Sequence, residues 1–403
     1  MIKEYFVKLI KGLLVNHTTP TVKKRWVFTS FGGHYSDNPK YLSLKLHELD
    51  PSIEIIWLVN KEYMSDVPSF FRVVEFGTDE AIKYAASAEV IIDNVYGNAA
   101  FFKKRNGIVD NLKSFLLSII YINRKQRIYT TWHGTPLKRM GRDQIGNDIT
   151  GVRCGNIRMI LGNRFTMKKM RHITFNKIPM KVMGTPRNDI LFLNKRDEYC
   201  DLLDLPRDKR IILFAPTFRN DGKDTQGKNI DRSGLDQLNS FDFDRLFSLL
   251  NIKFGGDWVM VCRFHYHVAE LVDWESLNKK YNGRIINGNA YDDMAQYLLC
   301  ADILLTDASS CMFDYVLTGK PCFIYFPDIA NYERKERGFY FPINILPFST
   351  SVNFKELLSN ISSFDNKRYL KEINMLMKRL GYCEDGNASE RIIRQIFKDL
   401  KYK

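Results

Sequence analysis

The sequence lacks the features that define membrane-spanning, secreted and zinc-binding proteins. It contains no run of 18 apolar residues, so we expect no segment that spans a bilayer, and no secretory signal is visible. Its seven cysteines are scattered, and no CxxC pair has a second pair elsewhere. We therefore expect no structural zinc, no disulfide bonds and a reducing compartment. Fixed repeats and low-complexity tracts are also missing.

Positive charge, by contrast, is in excess. Lys and Arg number 60 against 46 Asp and Glu, which gives a formal net charge of +14 over 403 residues. Such a balance favours anionic partners, namely nucleic acid, phosphate-rich substrates or an acidic membrane surface, although many soluble proteins are basic for no specific reason. The basic residues are spread along the chain and no nucleic-acid-binding motif occurs, so we expect no nucleic-acid partner.

Two segments combine apolar and basic residues in a way that suits the surface of an anionic membrane. Residues 1–16 are predicted to form a helix with one apolar face, and residues 111–127 are apolar in the middle and end in basic residues. A surface helix packed on its own domain is the alternative for each segment.

Short apolar segments alternate with helix-like segments along the chain. Those predicted to be buried strands are rich in β-branched and aromatic residues and lie at 25–31, 54–59, 89–93, 127–132, 180–189, 211–218, 257–264, 284–289, 302–307 and 321–328. This alternation predicts an α/β fold with two Rossmann-like domains that face a cleft. The predicted divisions are an amphipathic segment at 1–24, a first domain at 25–195, a second domain at 205–385 and a helix at 386–403 that packs back across the junction.

The loop after the strand at 127–132 carries a candidate proton acceptor. Ligands of open parallel sheets gather at the carboxyl ends of the strands. A Gly-Thr-Pro turn leaves His133 at this strand end, with Lys138 and Arg139 close by. Histidine titrates near neutrality and can take a proton from an alcohol. A structural histidine that is hydrogen-bonded to the backbone is the alternative.

The strand at 257–264 runs into a second cluster. Arg263, His265 and His267 alternate, so an extended chain places all three on one side. Groups that carry or donate positive charge suit a phosphate whose charge is developing. Metal ligation is one alternative, which the lack of a carboxylate within the run disfavours. A pair of half-buried histidines at a strand end is the other.

A third cluster has the pattern of a phosphate-binding turn between a strand and a helix. The strand ends at Thr306 and Asp307. Ser309 and Ser310 then suit the N-cap of a helix, whose free N–H groups bind phosphate. Asp314, one turn further on, suits a contact with a ribose hydroxyl or a bond that holds the loop. Ordinary helix capping is the alternative.

A fourth set consists of arginines, whose planar guanidinium groups grip phosphate with two hydrogen bonds. The candidates are Arg187, Arg219, Arg334 and Arg337. Surface ion pairs are the alternative for each. Arg187 and Arg219 follow a proline turn and precede an acidic residue, and this shared pattern favours a functional role for these two.

Nine blocks of sequence carry a resemblance to a known family. They lie at 36–42, 130–141, 184–189, 215–219, 263–266, 292–315, 320–328, 332–340 and 385–392. In this order they resemble the CDP-glycerol glycerophosphotransferase family, which comprises teichoic acid primases and polymerases and related capsule transferases. The combination of "WHGTP" with "TDASSCMFD" is more specific than either block alone.

The resemblance implies a GT-B fold and a defined reaction. A polyol phosphate, glycerol phosphate above all, passes from a CDP-activated donor to a hydroxyl of a lipid-linked or polymeric acceptor, and CMP is released. The enzyme is then expected at the cytoplasmic face of the cell membrane, on an anionic surface. No metal motif is visible, so we expect neither a metal ion nor another cofactor.

The resemblance also implies roles for single residues. His133 and His265 fall on the two catalytic histidines, with Arg284 or a neighbour as an additional contact to the donor. The expected donor contacts are Arg263, Thr306, Asp307, Ser309, Ser310 and Asp314, and the expected phosphate or acceptor contacts are Gly134, Thr135, Lys138, Arg187, Arg219 and Arg337.

Three departures from the family pattern leave alternatives open. Ala308 stands where a tyrosine is usual, His267 has no counterpart with a family role, and nothing here corresponds to the additional N-terminal domain of the long polymerases. The length is closer to that of a primase or a compact capsule enzyme. Transfer of ribitol phosphate, or of a sugar from a nucleotide sugar by a GT-B glycosyltransferase, are the alternative reactions.

Overall fold

The computed structural model describes residues 18–95, 126–143, 157–174, 178–217, 219, 233–264, 266–335 and 338–402. The chain divides into two compact units. The first comprises Met1–Gly134, Ile149–Asp189 and Gly381–Lys403, and the second comprises Thr135–Asp148 and Ile190–Leu380. Several expectations lie outside the described residues, namely those for segment 1–16, nearly all of 111–127, His265, Arg337 and the side chains of His267 and Arg334.

The first unit is built on a seven-stranded parallel sheet. Its strands are β1 Val22–Phe28, β2 Glu54–Val59, β3 Arg72–Glu75, β4 Ala88–Asp93, β5 Arg127–Thr130, β6 Ile157–Leu161 and β7 Met180–Val182. They pair in the order β3-β2-β1-β4-β5-β6-β7. This is the Rossmann order with one strand added. Strands β1 to β3 extend the sheet to one side and β4 to β7 extend it to the other, so the switch point lies between β1 and β4.

The second unit has a six-stranded parallel sheet of the same topology. Its strands are β8 Arg210–Ala215, β9 Trp258–Cys262, β10 Ile285–Asn287, β11 Ile303–Thr306, β12 Cys322–Tyr325 and β13 Ser349–Ser351. They pair in the order β10-β9-β8-β11-β12-β13, which places the switch point between β8 and β11. The predicted α/β fold with two Rossmann-like halves is confirmed.

Helices connect the strands, as parallel pairing requires. They are α1 Asp37–Leu49, α2 Asp79–Ser87, α3 Arg164–Ile173, α4 Arg196–Leu202, α5 Ser233–Asn239, α6 Phe243–Phe254, α7 Tyr266–Ala269, α8 Trp274–Lys280, α9 Met294–Cys300, α10 Cys311–Tyr315, α11 Ile329–Lys335, α12 Phe354–Ser362, α13 Asn366–Leu380 and α14 Ala388–Leu400. Short 3-10 turns lie at Lys61–Asp66, Gly141–Asp143, Pro186–Phe192, Val316–Thr318 and Ile343–Ile345. Among the described residues, no helix is long and apolar enough to cross a membrane.

Aromatic side chains fill the core of each unit. In the first, Phe28 stacks on Trp57 with ring centroids 5.7 Å apart, and the indole N–H of Trp57 donates to Ser43 Oγ at 3.1 Å. In the second, Phe214 and Trp258 are buried in the same cluster as the apolar face of α6. Burial of one such ring stabilises the fold by about 1.5–3 kcal/mol, so these cores fix the sheets that carry the polar loops.

Helix α14 belongs to the first unit, although the chain that precedes it belongs to the second. Its residues Ile392 and Ile396 are fully buried in the core that contains Trp26 and Phe28. The Asp189 carboxylate accepts hydrogen bonds from the first backbone N–H groups of the helix, at 2.8 and 2.7 Å. Burial raises the Asp189 pKa, while these bonds act in the opposite direction. Strand β1 and helix α14, which lie far apart in the sequence, therefore share one core.

Candidate functional site

Polar side chains of the first unit meet at the carboxyl ends of β1, β4 and β5, beside the switch point of the sheet. Asn94 directly follows β4, and its Oδ1 accepts from the Phe31 N–H at 2.9 Å. Its Nδ2 donates to Ser30 Oγ at 3.0 Å. The Asn94 amide thus fastens the loop after β1 to the end of β4, where ligands of such sheets bind.

His133 lies in this cluster, at the end of the chain segment that follows β5. Its ring packs on Trp132, with centroids 3.9 Å apart, and its Nδ1 is 3.1 Å from the backbone carbonyl oxygen of Asn94. A carbonyl oxygen can only accept a hydrogen bond, so Nδ1 carries the hydrogen. In the neutral ring the lone pair is therefore on Nε2.

The surroundings of His133 favour that neutral ring. Burial lowers the pKa of the imidazole, and the positive charge of Arg187 acts in the same direction. The Asn94 carbonyl and the negative charge of Asp37 partly offset this effect. A neutral imidazole with a lone pair on Nε2 is the form that a general base needs at neutral pH. The candidate role for His133 therefore fits its geometry, and the backbone bond is compatible with it.

Asp37, Asn38 and Arg187 hold the loops around the histidine. Asn38 Nδ2 donates to the Trp132 carbonyl at 2.8 Å, and Asn38 Oδ1 accepts from the Arg187 N–H at 3.1 Å. The Arg187 guanidinium pairs with the Asp37 carboxylate, and both side chains are largely buried. This ion pair places one charge of each sign near His133, and the expected phosphate contact of Arg187 stays a prediction.

Backbone strain is concentrated in this cluster. Of the seven non-glycine residues with a left-handed backbone in the described ranges, three lie here: Phe31 at φ 45°, Asp37 at φ 60° and Trp132 at φ 52°. Such a conformation costs about 1–2 kcal/mol for a residue with a Cβ atom. Strain of this kind is typical of functional sites, where the surrounding structure holds a side chain in a required position.

An ion triad around a buried arginine lies at the carboxyl ends of β8, β11 and β12 in the second unit. Arg219 Nη2 donates to Asp307 Oδ2 at 2.6 Å, and Arg219 Nε donates to Asp328 Oδ2 at 2.9 Å. The guanidinium also lies over the Tyr332 ring, 4.6 Å from its centroid. The Arg219 side chain is only 2% exposed. The guanidinium thus has its partners within the second unit, and the expected contact of Arg219 with phosphate stays a prediction.

Thr306 and Asp307 likewise have internal partners. The Thr306 hydroxyl donates to the Ala215 carbonyl at 2.6 Å, and Asp307 Oδ1 accepts from the backbone N–H of Thr217 at 2.8 Å. Both residues are fully buried. Their side chains support the loop after β11, and the donor contacts expected for them stay predictions.

Ser309 and Ser310 are the half-exposed polar residues of that loop. Ser309 Oγ accepts a long hydrogen bond from the Cys311 N–H at 3.4 Å, whereas Ser310 precedes α10 without a side-chain capping bond. The expected capping by Ser310 is therefore wrong, because its backbone is already helical. Asp314 lies within α10 and is buried, with 3% of its surface exposed. Ser309 and Ser310, in contrast, are half-exposed.

Two arginines expected near the donor have other roles. Arg263 donates to the carbonyl oxygens of Gly288 at 2.9 Å and Tyr291 at 2.5 Å, so it braces the loop after β10. Arg284 precedes β10 and thus lies at the amino end of the sheet, with its guanidinium 4.1 Å from the centroid of the Phe247 ring. This position is opposite to the carboxyl ends, so Arg284 is excluded from a site there.

The "WHGTP" block is divided between the units. Gly134 is the last residue of its segment in the first unit, at φ 117°, and Thr135 is buried in the second. Lys138 forms an antiparallel bridge with Phe339, and its ammonium group lies 5.3 Å from the centroid of the Tyr332 ring. The second half of the block is thus fastened to the segment that contains "GFY".

Phe31, Asn94, Asp328 and Tyr332 lie in these two clusters and were not predicted from the sequence. Each except Tyr332 lies within a few residues of a strand end, in the loops after β1, β4 and β12. Their position after a predicted strand was a signal that could have identified them. The pairing of Asp328 with Arg219 had no such signal. The two residues are separated by 108 others in the sequence, and only the folded sheet brings them together.

A family model described as CDP-glycerol:poly(glycerophosphate) glycerophosphotransferase matches residues 13–398. The teichoic acid poly(glycerol phosphate) polymerase of Staphylococcus epidermidis is 30% identical over 94% of this chain and 51% of its own length. The teichoic acid glycerol-phosphate transferase of Staphylococcus aureus is 27% identical over 92% of each chain. The chain spans about half the length of this S. epidermidis polymerase and of the teichoic acid poly(glycerol phosphate) polymerase of Bacillus subtilis. Relatives named for ribitol phosphate align with 52–53% of this chain.

Solved structures show the same similarity. A histidine-to-alanine variant of the wall teichoic acid polymerase TagF superimposes with a TM-score of 0.75 and 25% identity, over 99% of this chain and 98% of that one. A histidine-to-asparagine variant of TagF has a TM-score of 0.76 and 26% identity, and was also soaked with CDPG. A putative UDP-N-acetylglucosamine 2-epimerase of Listeria monocytogenes, at 0.52 and 14%, shares the fold alone. The expected GT-B type of fold is confirmed.

Proposed function

Because this chain belongs to the CDP-glycerol:poly(glycerophosphate) glycerophosphotransferase family, we propose that it transfers glycerol phosphate from CDP-glycerol to a hydroxyl of a lipid-linked or polymeric acceptor. CMP is the second product, and the reaction belongs to the synthesis of teichoic acid or a related capsule polymer. Glycerol is favoured over ribitol because the S. epidermidis and S. aureus relatives named for glycerol phosphate align with 92–94% of the chain.

His133 carries this proposal. The bond from Nδ1 to the Asn94 carbonyl leaves Nε2 as the basic atom, and burial keeps the ring neutral. Nε2 takes the proton of the acceptor hydroxyl while its oxygen forms a bond to the β-phosphorus of CDP-glycerol. The bond from that phosphorus to the bridging oxygen breaks, and its electron pair leaves with CMP. His133 then returns its proton to solvent, which restores the base.

The donor is proposed to bind at the carboxyl end of β11 in the second unit. The half-exposed hydroxyls of Ser309 and Ser310 are suited to hydrogen-bond phosphate oxygens. The buried pair of Arg219 and Asp307 holds the same loop in place. We assign to His265 the stabilisation of charge on the leaving phosphate, and to Arg337 a contact with phosphate. Positioning and electrostatics supply most of the rate in phosphoryl transfer.

We also propose that the protein works at the cytoplasmic face of the membrane. A lipid-linked acceptor resides there, and the net charge of +14 favours an anionic surface. Cosedimentation with vesicles of anionic lipid, at low and high salt, tests this placement. A protein that stays in the supernatant at low salt would contradict it.

The reaction is tested by release of CMP from purified protein that is given CDP-glycerol, CDP-ribitol or UDP-sugars together with a membrane acceptor. CDP-glycerol is expected to be the donor. His133→Ala is expected to lower turnover by about 10²–10⁴-fold, the usual contribution of a general base. His172→Ala is the control, because this exposed histidine in the last turn of α3 is expected to leave turnover unchanged.

Two outcomes would contradict the proposal. Release of UDP from a sugar donor, with both CDP compounds inert, would identify a glycosyltransferase of the same fold. Near-normal turnover of the folded His133→Ala protein would remove this residue from the chemistry.

A further inference from the structure

An exposed aromatic side chain lies directly beside the catalytic histidine. The ring of Phe31 is 5.6 Å from that of His133, and 44% of the residue is exposed. Behind it, His34 packs edge-on against Phe31 at 6.4 Å and stacks on Tyr63 at 4.4 Å. These three rings form a row that begins at the proposed base.

The loop is built to hold Phe31 in this position. Phe31, Gly32 and Gly33 all have a left-handed backbone, at φ 45°, 76° and 118°. A Cβ atom on Gly33 would lie 2.7 Å from the Asn60 side chain, and the Phe31 N–H is fixed by Asn94. Glycine would adopt the Phe31 backbone without strain. An exposed phenylalanine there stabilises no core, so a role for its ring outside the fold accounts for the strain.

The charge around His133 bears on what the ring contacts. Asp37 and Arg187 act on the charge state of His133 in opposite directions, and these two groups pair with each other. Beside the base, the structure thus offers an electron-rich aromatic face and a neutral ion pair. The C–H groups on one face of a pyranose ring pack on such an aromatic face, whereas the negative face of the ring repels a phosphate anion.

From this geometry we infer that Phe31 is a specificity-determining platform for the acceptor. Its ring stacks on the pyranose ring whose hydroxyl gives its proton to His133. The inference rests on the proposed function and deepens it. It assigns the acceptor to hydroxyls of a ring sugar, in preference to the open-chain hydroxyl of a polyol phosphate. His34 and Tyr63 extend the platform away from the base.

Two synthetic acceptors with the same alkyl chain test this assignment, one ending in a pyranose and the other in glycerol phosphate. KM and kcat are measured for each by CMP release from CDP-glycerol. Phe31→Ala is expected to raise KM for the glycoside about tenfold, the loss expected for one aromatic stack, while KM for the phosphate acceptor stays constant. Phe31→Trp is expected to keep KM for the glycoside close to the wild-type value.

Phe31→Gly and Phe70→Ala separate recognition from folding. Phe31→Gly removes the ring and the backbone strain together, so its melting temperature is expected to equal or exceed that of the wild type while its KM rises as in Phe31→Ala. Phe70 is 56% exposed and stacks on His47 at 4.5 Å in the same unit, and Phe70→Ala is expected to leave both KM values unchanged.

The inference is overturned if Phe31→Ala leaves KM for the glycoside unchanged, or raises KM for both acceptors equally, as insertion of the ring into lipid would do. Failure of the proposed function looks different, because the wild-type protein would then release no CMP from CDP-glycerol with either acceptor.

Discussion

His133 illustrates how one residue acquires a chemical role from its neighbours. The Asn94 carbonyl fixes which ring nitrogen carries the hydrogen, and burial lowers the pKa of the ring. Asp37 and Arg187 act on the same pKa in opposite directions, and the two groups pair with each other. The ring is therefore neutral near pH 7, and if His133 is the proposed base, its protonation on the acid side is expected to limit the reaction.

The pH dependence of kcat/KM follows from these directions. We expect a plateau at neutral pH and a fall below about pH 6.5, the ordinary pKa of histidine, as the lowered pKa of His133 is reached. Arg187→Met removes a positive charge, so the pKa rises and the acid limb moves to higher pH. Asp37→Asn removes a negative charge, so the limb moves to lower pH.

Steady-state CMP release between pH 4.5 and about 8.5 measures both limbs, over the range in which histidine titrates. Circular dichroism of each variant provides the control for folding. If the acid side of the kcat/KM profile moves in the same direction in both variants, charge near His133 does not set its position.

At the scale of elements, Arg219 joins the ends of three strands. It binds Asp307 after β11 and Asp328 after β12, and it lies in the loop after β8. Tyr332 of α11 covers the guanidinium. A buried arginine with two carboxylate partners leaves an uncompensated charge behind when it is removed. The loop that carries the proposed donor contacts therefore depends on this triad.

We expect Arg219→Met to lower the free energy of unfolding by about 3–5 kcal/mol, the usual cost of removing one partner from a buried ion pair. Urea denaturation measures this loss. The matched control is Arg207→Ala, whose exposed pair with Asp201 is expected to contribute less than about 1 kcal/mol. Equal losses for the two variants would mean that the triad adds nothing beyond a surface ion pair.

At the scale of the whole molecule, the order of the chain and the order of the units differ. The first unit takes Gly381–Lys403 from the far end of the sequence, and α14 completes its core with Ile392 and Ile396. The Asp189 carboxylate accepts hydrogen bonds from the first two backbone N–H groups of this helix. The unit that contains His133 therefore includes a segment that follows the whole second unit in the sequence.

We expect Ile392→Ala to destabilise the first unit by about 2–5 kcal/mol, because it leaves a cavity at a fully buried position. Hydrogen exchange followed by mass spectrometry is expected to show lost protection in α1 and β1, which share that core. Met375→Ala, at a residue of α13 that is 61% exposed, is the control and is expected to change protection little. Unchanged protection of α1 in the Ile392→Ala variant would show that α14 does not contribute to the stability of this core.

Much of the fold was predictable because strands in parallel sheets are apolar on both faces. The predicted strand at 54–59 coincides with β2, and the other predicted strands each overlap an observed one. Three strands were missed. The sheet-edge strand β13 consists of Ser349–Ser351 and β3 of Arg72–Glu75, and both are too short or polar to show the pattern. Strand β6 lies in the sheet interior and was overlooked beside a basic stretch.

The site was predictable only in part. His133 follows a predicted strand, and that position identified it as a candidate base. The partners of each charged side chain are set by loops that meet after the sheet forms, so Arg187 and Arg219 looked alike in sequence and both are engaged by carboxylates. Thr306 and Asp307 matched a phosphate-binding pattern, yet burial directs their polar atoms to the backbone of a neighbouring strand loop.

The sequence by itself determined the α/β class, the two Rossmann-like halves and the family, because these depend on periodic apolar segments and on blocks of adjacent residues. The tertiary structure decided the tautomer of His133, the burial of Arg219 and the exposure of Phe31 beside the base. These properties depend on atoms that are distant in the chain and adjacent in space, and hydrogen bonding, desolvation and ring packing act only over such short distances.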